Sequence, residues 1–104
     1  MPRTPPRRPR KHTPVLVETA LERLGARLVM ARKLREMTQE DLAHLSDVSI
    51  STVRSLEDGA DGVSIGNVLK ILEGLYLLEQ VETLLDPKHD PQAIVFATRK
   101  AGDR

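Results

Sequence analysis

Cysteine and tryptophan are missing from this chain, and its aromatic content is one tyrosine and one phenylalanine. Without cysteine there are no disulfides, no thiolate metal sites and no cysteine nucleophile, which fits a reducing cytoplasm. With so few aromatics, the core of this 104-residue chain must be small and aliphatic, one domain with tails. No apolar run approaches the ~20 residues needed to cross a bilayer. The basic N-terminus lacks the apolar stretch of a secretory signal, so cytoplasmic residence is the expectation. Metal-ligand spacing is lacking too: His12, His44 and His89 are scattered, and no His/Glu pair is placed to share an ion. There is no Gly-rich phosphate loop. These absences disfavour an enzyme and leave no cofactor or metal to expect.

Charge is present in quantity but unevenly placed. The net charge is +1. Residues 1–35 carry ten Lys/Arg against Glu18 and Glu22, whereas residues 36–91 carry twelve acids against Arg54, Lys70 and Lys88. Such polarity turns one part of the surface toward phosphates and another toward something else. Residues 1–14 hold five of the seven prolines and five Arg/Lys. Proline blocks helix and sheet, so this stretch is expected to be a disordered basic arm that lies along phosphates or enters a minor groove.

The most informative stretch is Thr38 to Gly59, which reads as two short helices joined by a tight turn. Thr38 is an N-cap that Asp41 can answer in a capping box, and Leu42, Ala43 and Leu45 give an apolar face ending near Ser46. Ser49 is a second N-cap, Val53 and Leu56 are the inner face of the second helix, and Gly59 stops it. The outer face of that helix carries Ile50, Ser51, Arg54 and Ser55, small or cationic, which suits a groove. That is the helix-turn-helix arrangement, whose second helix enters the major groove of DNA.

Around it, a first helix is expected from about residue 15 or 16 to Arg35, with Leu21, Leu24, Leu28 and Ala31 on one face. Glu18 and Glu22 near its start and Arg32, Lys33 and Arg35 at its end match the helix dipole. Ser64 caps a fourth helix with Ile65, Val68, Leu69, Leu72 and Leu75 on its apolar face, and Gly74 weakens its end. Leu77 to Leu85 reads as a fifth helix stopped by Asp86-Pro87. Leu78, Val81, Leu84 and Leu85 give it more apolar surface than a small core needs, so they are expected in a dimer seam. Ala93 to Ala97, with Ile94 and Phe96, is β-prone and is expected to pair as a strand with a second subunit. The fold class is therefore an all-α, five-helix domain over residues 15–87, preceded by the arm 1–14 and followed by a tail 88–104 with an intersubunit strand at 93–97.

The residues Leu24-Gly25-x-Arg27-Leu28, Arg32, Thr38-Gln39, Leu42-Ala43, Val48-Ser49, Thr52-Val53 and Leu56-Glu57-x-Gly59 resemble the Xre, or Cro/phage-repressor, helix-turn-helix family. The resemblance spans about residues 21–85. Residues 62–72 and 77–87 are more similar to the HipB-type antitoxin branch. It implies a homodimer that represses its own operon at a palindromic operator and binds a HipA-type kinase toxin, with C-terminal strands able to pair. By position it also implies that Ile50, Ser51, Arg54 and Ser55 face bases, and that Gln39, Ser49 and Thr52 serve phosphate or positioning. Arg54 has the chemistry to bind guanine O6/N7 in a bidentate fashion, and Ile50 to pack on a thymine methyl. An ion pair between Arg32 and Glu57 is implied as a brace between helices. The turns at Glu36 and Asp47 depart from the family, which commonly has Gly there. Asp tolerates the left-handed backbone region better than Glu, so the first turn is expected to differ in shape. The alternative is a protein-interaction adaptor that keeps the fold, binds a partner through its acidic surface and has lost DNA binding.

Overall fold

The computed structural model describes residues 12–102, which leaves the basic arm at 1–11 and the last two residues outside the described part. The described residues form α1 (Val15–Leu34), α2 (Gln39–Ser46), α3 (Ile50–Glu57), α4 (Ile65–Gly74) and α5 (Pro91–Gly102), with 3-10 turns at Leu78–Thr83 and Pro87–His89.

Side-chain caps start the three short helices of the core. Thr38 Oγ1 accepts from Asp41 N at 3.0 Å while Asp41 Oδ2 accepts from Thr38 N at 2.8 Å, a complete capping box. Ser49 accepts from Thr52 N and Ser64 from Asn67 N, both at 3.1 Å.

The ends of α1 to α4 share one device. A left-handed residue follows each helix: Glu36, Asp47, Gly59 and Tyr76, with φ between 54° and 78°. The next residue then bonds back to the last turn, as in Met37 N to Arg32 O (3.2 Å), Val48 N to Ala43 O (3.1 Å) and Leu77 N to Leu72 O (2.8 Å). These are Schellman closures, in which an apolar residue just past the turn folds under the helix. Met37, Val48 and Leu77 do that, each packing on the core. Glu36 therefore adopts the left-handed turn that glycine would take. The turn keeps its shape, and the glutamate bears the strain.

α1 packs on α3, α2 lies against both α3 and α4, and α3 meets α4. The buried centre is Leu28, Leu42, Ala43, Val53, Leu56, Ile71 and Leu75, each large side chain contributing roughly 1.5–3 kcal/mol of burial. Two glycines permit the close approaches. A methyl on Gly25 would sit 2.3 Å from the Glu57 carbonyl oxygen, so α1 and α3 touch backbone to backbone there. One on Gly74 would strike Ser46 Oγ. Gly74 is thus a contact point between α4 and α2, and its value lies in the missing side chain. At the end of α4, Arg35 Nε donates to Leu75 O at 3.1 Å.

Several expectations need correction. Ile71, with Leu75, is the buried anchor of α4, whereas Ile65 is exposed at the N-terminal end. Leu24 is only partly covered, at 39% exposure. The fifth helix of the core is not α-helical. Residues 78–83 form a 3-10 turn held by bonds such as Leu84 N to Val81 O. The segment is bracketed by left-handed Tyr76 and Leu85, and so short a run cannot repay α-helix nucleation.

The β-prone tail is a helix. Asp90 Oδ1 accepts from Gln92 N at 2.9 Å, and Pro91 sits in the first position, where its fixed φ suits a helix start. With that start signal ahead of it, the Ala-Ile-Val-Phe-Ala run winds at 3.6 residues per turn, so no intersubunit strand forms at 93–97.

Candidate nucleic-acid interface

α3 is eight residues long and lies against α1, α2 and α4. Val53 and Leu56 are buried, which fixes its rotation and turns Ser51 and Arg54 outward. Ser55 is half-buried. Ile50 is half-buried as well and packs on the core, which leaves only part of its side chain to meet a base. Ser49 and Thr52 hydroxyls lie 2.8 Å apart at the N-terminal end of the helix. A shallow concavity beside α3 is lined by Ser51, Thr52, Ser55, Ser64 and Asn67, with Val63 as its apolar part.

Behind this surface runs a continuous polar chain. Arg32 Nη1 donates to Met37 O at 2.9 Å, which ties the end of α1 to the turn that follows it. The same guanidinium grips Glu57 with two bonds, Nε to Oε2 at 2.7 Å and Nη2 to Oε1 at 3.0 Å. These groups are 12% and 4% exposed, so the bidentate pair is close to fully shielded. Gln39 Nε2 donates to Glu57 Oε1 at 3.0 Å, and Gln39 Oε1 accepts from Arg54 Nε at 3.2 Å. Each acceptor satisfies the next donor, from the end of α1 across α2 to the exposed guanidinium of α3. Because Arg54 spends Nε on Gln39, both terminal nitrogens remain to point outward.

The electrostatics follow from that geometry. Burial pushes the Glu57 carboxyl up, but the hydrogen bonds from Arg32 and Gln39 with the charge of Arg32 outweigh it and hold the carboxyl below its ordinary value. The hydrogen bond to Glu57 raises Arg32 in turn. The network is ionised at neutral pH and draws no free charge from solvent.

Of the residues singled out in the sequence, Gln39, Arg54, Arg32 and Glu57 are brought together in one chain, and Ser49 and Thr52 form a second small cluster. Leu78 and Val81 are half-buried on the 3-10 turn, while Leu84, Leu85, Ile94 and Phe96 are exposed. Sequence reasoning missed Gly25 and the Gln39–Arg54 bond. Gly25 had a signal, a lone glycine on the inner face of a long helix where nothing but a close neighbour explains it. The Gln39–Arg54 bond had none, because it depends on the angle between α2 and α3.

This arrangement of two capped short helices, the second presented outward, is a helix-turn-helix domain. Residues 28–75, a little under half of the chain, match a family model described as helix-turn-helix. No curated protein and no solved structure matches the chain. Among the described residues, no helix is long and apolar enough to cross a membrane.

Proposed function

We propose that this protein is a homodimeric repressor that reads a palindromic operator, with Arg54 as its principal base contact. The observation that carries the reading is the braced guanidinium: Gln39 holds Arg54 by Nε and is itself held by the Arg32–Glu57 pair. A surface arginine with no task has no need of a buried support, whereas a base-reading fork gains from losing its freedom beforehand. Ser51 and the Ser49–Thr52 pair flank it and supply hydroxyls for base edges or phosphate. With one strong reader per subunit, specificity must also come from the spacing of two recognition helices, about 34 Å or one turn of DNA, and from DNA shape. As the finer assignment, the protein serves as the antitoxin of a HipA-type pair. That rests on the similarity of residues 62–72 and 77–87 to the HipB-type branch. With residues 93–97 helical, strand pairing gives it no support.

The test is fluorescence anisotropy on the chain's own upstream region. Arg54→Ala should weaken binding by about 10- to 100-fold, the ~1–3 kcal/mol of a bidentate base contact, with thermal unfolding unchanged. Gln39→Ala should weaken it less and chiefly blur discrimination at the base read by Arg54. Affinity should fall steeply with salt through counterion release. A chain that binds no upstream fragment at low salt, yet co-purifies with a protein, is the adaptor and not a repressor.

A further inference from the structure

One apolar groove and one unpartnered helix stand apart from the DNA-reading face. The groove runs between α1, α4 and the 3-10 turn, lined by Leu24, Leu28, Val68, Leu72 and Leu77 with Gln80 at its edge, and encloses about 180 Å³. A dry cavity of ~150 Å³ walled by aliphatic side chains holds a benzene ring, so this groove has the volume for one phenylalanine. The chain has one phenylalanine, and it is in α5. There, Ile94, Val95 and Phe96 are each more than half exposed. Among the described residues, the extensive contact of α5 is with the neighbouring Pro87–His89 turn. A helix of 12 residues is marginal in water by itself, so α5 needs a surface to lie on.

We propose that the occupant of the groove is α5 of a second copy, with Phe96 of each protomer seated in the groove of its partner. Three observations select a second copy. First, α5 is steered away from its own groove. Pro87 and Pro91 lock the backbone, Asp86 Oδ1 accepts from Lys88 N at 2.9 Å, and Asp90 Oδ1 accepts from Gln92 N at 2.9 Å. These local bonds set the course of the linker, and along it α5 makes no extensive contact with α1 or α4 of its own protomer. Second, charges match. α5 holds Arg99, Lys100 and no acid, and the 3-10 turn beside the groove carries exposed Glu79 and Glu82, two acids against the single Arg27 that lines the groove on the α1 side. Lys100 Nζ already sits 5.8 Å from the Phe96 ring centre, on the side of α5 that would enter. Third, donor and acceptor are on the same chain, so a two-fold exchange fills both grooves and closes without leaving a free end. This deepens, and for its biological use rests on, the two-fold operator reading above.

The absence of cysteine makes the test direct. The full chain is sized by light scattering at micromolar concentration without DNA, as wild type and as Phe96→Asp. Wild type should be a dimer, and Phe96→Asp should dimerise at least tenfold more weakly while its core unfolds at the temperature of dilute, monomeric wild type, since the ring is exposed in the protomer. Gln80→Cys and Gln92→Cys copies, which keep Phe96 and the apolar lining of the groove, are then mixed and treated with a short bis-maleimide. A cross-linked dimer is expected from the mixture and from neither variant alone. A monomeric wild type, a Phe96→Asp variant that stays dimeric, or a mixture that gives no cross-linked dimer would overturn the proposal. Each readout is independent of DNA. A chain that dimerises through α5 but binds no operator keeps this inference and loses the repressor reading, and one that binds DNA as a monomer does the reverse.

Discussion

Residues 28–77 and residues 78–102 obey the same local rules and reach different ends. In both, Asp, Ser or Thr side chains cap the turns, as Thr38, Ser49 and Ser64 do in the first part and Asp86 and Asp90 in the second. In both, non-glycine residues take the left-handed conformation, Glu36, Asp47 and Tyr76 against Leu85. The regions separate in where the apolar residue after the turn goes. Met37, Val48 and Leu77 fold under the helix that has just ended and join the core, whereas Leu84 and Leu85 remain exposed, Leu85 at 92%. Caps and turns set direction in either case. Only tertiary packing turns direction into stability, and within one protomer the second region receives little of it beyond the contact of the 3-10 turn with α4.

The largest contrast should come from the same substitution in each region. Gly25→Ala forces a methyl against backbone that cannot yield without moving α3 off α1, with 2.3 Å to Glu57 O and 2.8 Å to Leu56 O. It should cost about 3 kcal/mol or more, a fall in Tm of more than ~10 °C for a domain of this size. Gly102→Ala meets nothing within 4 Å and should leave Tm where it was. Differential scanning calorimetry on the pair decides the matter. Equal effects would mean that α5 shares the core's cooperativity.

A smaller contrast lies in the charges. Glu57→Gln leaves Arg32 nearly buried without its counter-ion and should cost about 2 kcal/mol, less than for a fully buried pair because Arg32 keeps an exposed edge. Lys100→Gln, which removes a solvent-exposed cation beside Phe96, should cost next to nothing in the monomer. The Glu57 effect carries a pH signature. The folded carboxyl is held below its ordinary value of 4.5, so its contribution is complete above that value and is lost as pH falls through the folded one. Urea titrations at stepped pH should show wild type and Glu57→Gln differing most near neutrality and converging in acid. A constant gap would place the stabilisation in packing and not in the ion pair.

How legible each part was in the sequence follows the same division. Thr38, Ser49, Ser64 and Gly59 announce the helix-turn-helix because a cap acts on atoms two or three residues away. Local sequence holds all that is needed to see it. The Arg32–Glu57 pair spans 25 residues and came from the family resemblance, since no spacing rule reaches that far. A positioning role for Gln39 was implied by the resemblance, but its bond to Arg54 could not be read, as it exists only once α2 and α3 have taken their angle. The two segments whose conformation was misread fell where packing is sparse. Leu77 to Leu85 has apolar residues in adjacent pairs that fit no clean period, and Ala93 to Ala97 was weighed by β propensity without the Asp90-Pro91 start before it. Propensity is a weak guide when a cap two residues upstream has already chosen the conformation.

The smallest effect asks whether strain is felt equally in the two regions. Glu36 at φ 56° and Leu85 at φ 62° hold the same unfavourable backbone, which costs a residue with a Cβ about 1–2 kcal/mol. Glycine relieves that cost and gives back part of it in chain entropy, for a net gain of about 0.5–1 kcal/mol at each site. Glu36 closes α1 over Met37, which docks on the core, so Glu36→Gly should raise the global Tm by a few degrees. Leu85 sits between a 3-10 turn and the Pro-locked linker, in a segment that can open by itself. In dilute monomeric protein, Leu85→Gly should therefore leave global Tm unchanged and show its gain only as slower amide exchange in residues 86–90. If α5 docks into a partner, the distinction should fade with concentration, because the tail then joins a cooperative unit. A Leu85→Gly shift in Tm that appears only at dimer-forming concentrations would tie the second region's stability to the second copy.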